Sequence, residues 1–591
     1  MLTLFLIVVL IWAILVQPLI SYFMDRKSLR KFPAPSLAGF TSLWRIWHNL
    51  QNRHYLAIHH AHKQLGSHVR IAPNHISVLG ADAVIDIYGH GAGMLKDAWY
   101  DGGAGDFRHM ADVRVKTEHQ AKRKLLAHVF AQKTIANLEP VVADTISTLM
   151  AQVDRHISAG KTINMRRFMN YFTIDLFGKL LYSRHLGCLE RGDDIVTAET
   201  PDGRTYTAPF IQSLLDATVI NTALGMEAGL LPVTRFLLAW HPYKKAGADF
   251  ENIIRHNTQC RLRDQTAQDD IFSKLVKDNK GCDLNLPVGE ILAECSVMMN
   301  AGTETTTATF TNALFLLYKH PSVLAKLRKE LDGACGDAEV LSYETVSKLT
   351  YLRACVEESL RVRPASSFGL PRVIPDGGRM VGGIWIDEGV TVSVPTYSML
   401  KDEEAFEQAD TFIPERWITE DKEKKERMMR NHLPFSFGPR ACIGRNIAYF
   451  EQLLVLASLV RAFDFEIPEG FEMQTIERFN SNPGDLVVKA RRRARFSRML
   501  DYHPFQPESY DAGTLGSKLS AIKQSTRSRS HSDPNTADRS EEGWKSPSTL
   551  WLFGRASKLP TVLSVTDVSV PGRVGIPGAD KRLPRNGRSI D

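Results

Sequence analysis

The chain opens on an unbroken apolar run. No charged residue occurs between Met1 and Met24, and Leu, Ile, Val, Phe and Trp fill most positions from Leu2 to Ile20. About 20 such residues span a hydrocarbon core as a helix. The run lacks the basic leading region and small-residue cleavage site of a secretory signal. Residues 1–24 are therefore read as a single-pass membrane anchor. Arg26, Lys27, Arg30 and Lys31 follow directly. Positive charge beside a span marks its cytosolic side, which places the rest of the chain in the cytosol. Phe32-Pro33-Ala34-Pro35 comes next, and its prolines bar helix continuation. Residues 25–40 read as a basic, proline-containing hinge.

Beyond the hinge, apolar residues recur at helical spacing over 134–156, 205–230, 246–278, 288–318, 321–333 and 343–362. These stretches predict helices. Val and Ile around Pro73-Asn74 predict strands and a turn within 68–79. Short strand-like pieces return at 379–394, and 444–462 is helical again. There is no internal repeat and no regular strand–helix alternation. Residues 41–500 thus read as one body, mainly α with minor β.

Residues 501–591 change character, with Ser, Pro, Gly and Arg prominent, as in STRSRSHS at 525–532. Such composition buries too little to offset its ordering entropy, so a disordered tail is expected. An apolar island around Trp551 is its one candidate docking peptide. The net charge of 73 − 66 = +7 is spread too thinly over 591 residues to argue for nucleic acid. Seven widely spaced cysteines without a CxxC argue against a disulfide framework or zinc site. They suit a reducing compartment.

One cysteine stands in a different setting. Residues 435–444 read FSFGPRACIG, and a helical stretch follows at once. A cysteine just before a helix points its sulfur into positive backbone potential, which favours thiolate. Gly438 and Gly444 allow left-handed turns and close approach to a flat ligand. Arg440 offers a charge for a carboxylate, and Phe435 can shield the sulfur from water. Together these describe Cys442 as an axial thiolate ligand of haem iron; thiolate-ligated haem has the cytochrome P-450 enzymes as its standard example.

On this motif the sequence resembles the cytochrome P-450 superfamily over about residues 30–495. Three further segments match in order. Glu358-Ser359-Leu360-Arg361 resembles the family's E-x-x-R, with Pro414-Glu415-Arg416-Trp417 supplying the third partner. The resemblance implies a structural triad, Glu358–Arg361–Arg416, beneath the haem loop. Ala301-Gly302-Thr303-Glu304-Thr305-Thr306 resembles the oxygen-binding groove. It implies Thr305 as the catalytic hydroxyl that guides protons and Glu304 as the acid linking it to solvent. Ala and Gly there would let the helix run close over the haem. His119 and Arg123 sit where the family carries W-x-x-x-R. With Arg372, they are implied as further cofactor-binding groups beside the propionates of heme b.

LRKFPAPSLAGFTSLW, HVRIAPNHISV, YGHGAGMLKDAWYD and EHQAKRKLLAHVF resemble fungal microsomal members, especially the benzoate 4-monooxygenase-like group. This implies a cytochrome P-450 fold with an N-terminal transmembrane helix in the endoplasmic reticulum membrane. It implies a monooxygenase that takes O2 and electrons from NADPH–cytochrome P-450 reductase. Lys122–Lys124 and the mixed cluster Lys422–Arg430 are candidate docking patches for that donor. The expected substrate is a small lipophilic, aromatic molecule of secondary metabolism. Pocket walls are expected near 97–115, 293–305, 365–370 and Phe479, with Arg108 or His109 as possible partners of a substrate carboxylate. The alternatives are oxidative phenol coupling of an aromatic polyketide, benzoate-type ring hydroxylation, a peroxide-rearranging isomerase, and a non-catalytic haem-binding membrane protein.

Overall fold

The computed structural model describes residues 1–494, apart from 225–234, 265, 267–269, 279, 335 and 337. The expected tail at 501–591, Trp551 included, lies outside the described residues.

The apolar run forms one helix, α1 (Leu4–Met24), with a π-type widening at Trp12–Val16. It is long and apolar enough to cross a membrane, and only 6% of its most apolar window is buried in the protein. After it, Leu29 and Phe32 turn into the body's core. The Pro33 carbonyl accepts from Arg70 N at 2.8 Å, so the proline segment lies along the body.

The body begins with α2 (Leu43–Leu50) and α3 (His54–Leu65). Strands β1 (His68–Ala72) and β2 (His75–Val78) follow, joined at Pro73-Asn74 as expected. Two short strands, β3 (Leu95–Lys96) and β4 (Arg372–Val373), join them with β5 (Thr391–Ser393). The sheet order is β1-β2-β5-β4-β3. Strand β5 runs parallel to β2 and antiparallel to β4, and β3 is antiparallel to β4.

Helices make most of the rest, beside one three-stranded and three two-stranded sheets: α4 (Lys116–Ala127), α5 (Glu139–Ser158), α6 (Met165–Tyr182), α7 (Phe210–Leu224) and α8 (Pro242–Arg263). The longest is α9 (Val288–Lys319), followed by α10 (Thr350–Val362), α11 (Lys422–Asn431) and α12 (Arg445–Ala462). Helices α6, α9 and α12 are buried over much of their surface, and all three contribute to the main hydrophobic core. They form the interior against which the site is built.

Several expected helices are shorter. Residues 205–209 are a strand paired with Ile195–Glu199, where alternating Thr and Tyr favour β structure. The 246–278 stretch ends at Arg263 and restarts at Ile271, where Asp270 caps the Ser273 amide at 2.8 Å. The 343–362 stretch splits into Tyr343–Val346 and α10. Helix α5 begins afresh after Ala136, with Pro140 in its first turn.

Candidate functional site

The FSFGPRACIG segment is a tight loop between α11 and α12. Gly438 has φ +72°, and a Cβ there would stand 1.9 Å from the Tyr88 carbonyl oxygen. Only glycine fits both constraints. Gly444 differs from expectation. Its φ is −80°, and a Cβ would be in ordinary contact, 3.9 Å from Cys442 Sγ. Of the two glycines, only Gly438 takes the left-handed conformation, which Ser436 also adopts two residues earlier. Cys442 N donates to Phe435 O at 3.0 Å, closing the loop. The Phe435 ring packs on Tyr449 at 5.0 Å. Arg123 on α4 donates to the Ala441 carbonyl at 2.8 Å, and Arg440 donates to the Val113 and Arg114 carbonyls at 2.5 and 3.0 Å. Helix α4 and the loop therefore fix one another.

The Cys442 thiol reaches the surface. Surrounding protein atoms still desolvate it and hold its pKa above the ordinary value. The Gly444 and Arg445 amides and the Arg123 and Arg445 charges pull the other way. The helix N-terminus acts as expected, but the polypeptide alone leaves the net shift upward.

Around this loop lies a cluster of cations. His119 is buried on α4, and burial together with Arg440, Lys96, Arg123 and Arg372 pushes its pKa down to about 3. Burial and Arg372 lower Arg440 to about 10. Burial, Arg372 and Arg440 drive Lys96 well below its ordinary value. Among the described residues, the hydrogen bonds of these four cations go to neutral groups. Lys96 donates to Ala111 O, Arg123 to Ala441 O, Arg372 to Tyr100 Oη and Pro371 O, and Arg440 to two carbonyls. Asp112 is within electrostatic range of Lys96, but burial pushes its pKa up to about 7. Gathering like charges at low dielectric is costly unless an anion joins them. Two propionates supply what the cluster requires, so its residues fit a haem. Lys96 was not among the expected residues. Its signal is the strand register that sets it opposite Arg372, which residue spacing does not reveal.

On α9 the groove residues divide between faces. Ala301 is exposed and Thr305 partly so, although Thr303, Glu304 and Thr306 around them are buried. Thr305 Oγ1 donates to the Ala301 carbonyl at 2.7 Å, the back-bond typical of helical threonine. Gly302 serves a different neighbour from the one expected. A Cβ there would meet the Phe177 ring of α6 at 2.1 Å, so Gly302 admits Phe177. Glu304 is 3% exposed and does not reach solvent directly. Its Oε1 accepts from Asn482 Nδ2 at 2.7 Å. Asn482 Oδ1 accepts from Arg166 Nη2 at 3.2 Å, and Arg166 also donates to Asn170. Glu304 Oε2 has no hydrogen-bond partner among the described residues. It borders a void of about 10 Å³ lined also by Arg166, Asn170 and Thr303. That is the lower limit for one ordered water. Arg166 and Asn482 were not foreseen, because they lie more than 100 residues away from Glu304 in sequence.

The expected triad forms completely. Arg361 grips Glu358 through Nε and Nη2 at 2.9 and 2.8 Å, and Arg416 Nε reaches Glu358 Oε1 at 3.1 Å. Arg361 also donates to the carbonyls of Leu400, Ala409 and Thr411. Burial would raise the Glu358 pKa, but Arg361 and Arg416 outweigh it and hold the carboxylate below its ordinary value. Trp417 adds a bond that a phenylalanine cannot make, from its indole N–H to Glu358 Oε2 at 2.9 Å.

Three of the four anticipated wall segments, 97–115, 365–370 and Phe479, contribute to an aromatic cluster, and 293–305 does not. Trp99 stacks on Phe479 at 5.6 Å and lies edge-on to Phe368 at 5.6 Å. The Trp99 indole N–H is buried without a partner among the described residues. Arg108 and His109 are already engaged. Arg108 pairs with Asp101 at 2.8 Å, and His109 faces Asp112 at 3.5 Å with its pKa pushed down by burial to about 3. Of the basic run 122–124, Lys122 is buried in ion pairs with Glu290 and Glu294, and Arg123 holds the loop. That leaves Lys124 exposed, so this run is not a free docking patch. Most of α11 is solvent-exposed.

A family model described as "Cytochrome P450" matches residues 37–493. Benzoate 4-monooxygenase bphA of Aspergillus niger is 31% identical over 499 residues, covering 81% of this chain and 96% of that protein. Cytochrome P450 monooxygenase cpaH of Aspergillus oryzae is 31% identical, covering 75% and 84% respectively. The crystal structure of the cytochrome P450DA heme domain superposes with a TM-score of 0.65 at 18% identity, over 78% of this chain and 98% of that one.

Proposed function

The chain belongs to the cytochrome P450 family and is a monooxygenase, and from that premise we propose that it oxidises a small aromatic molecule at a thiolate-ligated haem. The observation that carries the haem assignment is the cluster of Lys96, Arg123, Arg372 and Arg440 around the neutral His119, beside an accessible cysteine at a helix N-terminus. Cys442 would hold the iron, with the Gly444 and Arg445 amides directed at its sulfur. The cluster would hold the propionates, and Gly438 lets the loop pass Tyr88 closely. When bound, the thiolate-ligated haem supplies reductive activation of O2.

The chain's own residues then position and protonate. Thr305 presents a hydroxyl already oriented by the Ala301 carbonyl. Glu304 stands one residue away as the group that would relay the proton, its carboxyl fixed by Asn482 with the charge of Arg166 in range. A water in the adjoining void would pass protons to the free Oε2. Trp99, Phe368 and Phe479 form a buried aromatic cluster that would back an aromatic ring, and the unpartnered Trp99 N–H would offer one directional bond to an oxygen substituent.

The anchor reading of α1, with Arg26, Lys27, Arg30 and Lys31 behind it, supports residence in the endoplasmic reticulum membrane with the body cytosolic. NADPH–cytochrome P-450 reductase then suits as electron donor, and the exposed charged face of α11 is its candidate contact. Residues 1–24 would anchor, 25–40 connect and 41–500 catalyse.

The test is product mass. The full chain is expressed in yeast microsomes with reductase and NADPH, and benzoate and phenolic polyketides are supplied. A gain of one oxygen is expected on an aromatic substrate. A product of twice the substrate mass less two hydrogens would make it a phenol-coupling enzyme, and turnover of peroxides without NADPH would make it an isomerase.

A further inference from the structure

Between the second half of α1 and the edge of the five-stranded sheet lies a cavity of about 630 Å³. Its size is that of a small-molecule site. One wall is the anchor helix, from Ala13 to Met24, and the other is the body, including Arg45, Arg70 and His75. Two contacts clip the walls together: Thr41 Oγ1 donates to Ile14 O at 2.8 Å, and the Tyr22 ring lies 4.0 Å from Phe40.

The charges lining this cavity are unbalanced. Arg26, Lys27 and Arg70 face Asp25 and Asp97, while Arg45 lies against His75. Both acids make their hydrogen bonds elsewhere, although the Asp25 charge also acts on Arg70. Asp25 pairs with Arg30 at 3.2 Å and accepts from Leu29 N at 2.7 Å. Asp97 accepts from Trp99 N at 2.8 Å and from Thr391 Oγ1 at 2.7 Å. His75 is held neutral by burial and by Arg45. Arg70 is 3% exposed, and its Nε and Nη2 both donate to the single carbonyl of Pro73. Its Nη1 has no hydrogen-bond partner among the described residues. A buried guanidinium with an unmade bond is costly, and an anion in the cavity would make it. Lys27 makes a long bond to Asn74, at 3.4 Å, with the charges of Asp387 and Glu388 in range.

The site has an apolar end at Ala13 and Pro18 and a cationic end at Lys27 and Arg70. It begins where an apolar helix leaves its membrane-spanning run. A basic pocket in that position matches an amphiphile with an anionic head. We propose that this cavity binds the phosphate headgroup of an anionic membrane lipid, with an acyl chain lying along α1. The lipid would join anchor to body and set the body's orientation on the membrane. The inference rests on the reading of α1 as an anchor.

The experiment uses the full-length holoprotein in detergent with a nine-to-one mixture of phosphatidylcholine and phosphatidic acid. Lipid retained after gel filtration is measured by mass spectrometry. Phosphatidic acid should be enriched over its supplied share, and Arg70→Gln should reduce the enrichment about fivefold. Lys27→Gln, outside the core, should reduce it as well and guards against misfolding of the Arg70 variant. Lys31→Gln is the control, because Lys31 lies outside the cavity and donates to the Trp385 carbonyl. Equal retention by wild type and the Lys27 and Arg70 variants would overturn the proposal. So would an equal loss in Lys31→Gln, which would mean diffuse attraction to basic sequence. Displacement of the lipid by millimolar inorganic phosphate would also overturn it, by making the cavity a free-anion site. Incorporation into discs of phosphatidylcholine alone tests the anchor separately.

Discussion

Lys96 and Arg372 stand directly opposite one another across the β3–β4 ladder. Like charges in that position destabilise a sheet. Both are buried, and Arg440 lies within range of each. An arrangement that costs the polypeptide stability is retained where an anion repays it. Lys96→Met should therefore leave the body folded and weaken its grip on haem. Loss of one charge-assisted contact is expected to speed haem transfer to an acceptor about 10–100-fold, corresponding to ~1.5–3 kcal/mol. Haem-transfer kinetics and the reduced-CO absorbance per mole of protein are the measurements. Unchanged transfer would mean that Lys96 does not face the propionates.

Gly438 is the loop's most restrictive position. Alanine there meets the Tyr88 carbonyl and a positive φ together. Because that contact is with backbone rather than a flexible side-chain end, relaxation must move the loop. Gly438→Ala should cost more than ~1 kcal/mol, beyond the usual range for a glycine in an allowed conformation. Thermal unfolding and thiolate-type CO spectra should both deteriorate. Gly444→Ala, which meets only ordinary contacts, should be the milder of the two in unfolding temperature.

Trp417 gives a test of the buried triad. Trp417→Phe keeps most of the ring and removes the N–H donor to Glu358. The expected loss is about 1.5–3 kcal/mol, the range for a hydrogen bond to a charged group. Glu358→Gln should cost more, about 3–5 kcal/mol, because it leaves Arg361 and Arg416 buried without their counter-charge. Denaturant midpoints of the holoprotein report both, and a Trp417→Phe variant as stable as wild type would assign Glu358's fixation to the arginines alone.

Much of this site was legible in the sequence because its parts are local. Cys442, Phe435, Gly438 and Arg440 fall within eight residues, and Glu358 and Arg361 within one helical turn. The helices α9 and α12 were readable because they are apolar over long stretches. What escaped depends on distant pairing. Lys96 meets Arg372 only through a two-residue strand, and Asn482 reaches Glu304 from the far end of the body. Lys122 looked like surface charge because sequence alone does not place Glu290 and Glu294 beside it. The strand at 205–209 escaped because its partner, Ile195–Glu199, is set by a hairpin rather than by helical periodicity.

Proton supply gives the next prediction. Asn482→Leu removes the donor to Glu304 Oε1 and the acceptor of Arg166 Nη2, without touching Thr305. Substrate binding, read by the Soret shift, should be unchanged. Product formed per NADPH should fall about tenfold or more, at the low end for loss of acid–base assistance, with hydrogen peroxide rising to match. The solvent isotope effect on product formation should change as well. A variant with normal coupling would remove Glu304 from the proton route and leave Arg166–Asn482–Glu304 a structural network.

The pH dependence of stability follows from two buried acids. Burial raises Glu451 on α12 to about 8, with Thr306 of α9 pulling slightly the other way. Burial also raises Glu477 to about 8, against the Tyr55 and His54 amides. Each is near 4.5 in the unfolded chain. Between those values the native state holds protons that the unfolded state has released. Their stabilisation is complete below about pH 4.5 and is lost as pH rises toward 8. Buried His54, lowered by desolvation to about 3, acts in the opposite direction, losing stability only as pH falls from 6.5 toward 3. From pH 6.5 to 8 the histidine contribution is flat and each glutamate adds a downward slope of at most ~1.4 kcal/mol per pH unit, joined near pH 7 by the raised Asp112 and opposed by the lowered Lys96. The unfolding temperature of the holoprotein should therefore decline across that interval. Glu451→Gln keeps the shape of the neutral acid and has no proton to lose, so it should make the unfolding temperature fall less steeply across that interval than in wild type. An equal slope in the variant would mean that Glu451 is ionised in the folded protein and has a counter-ion.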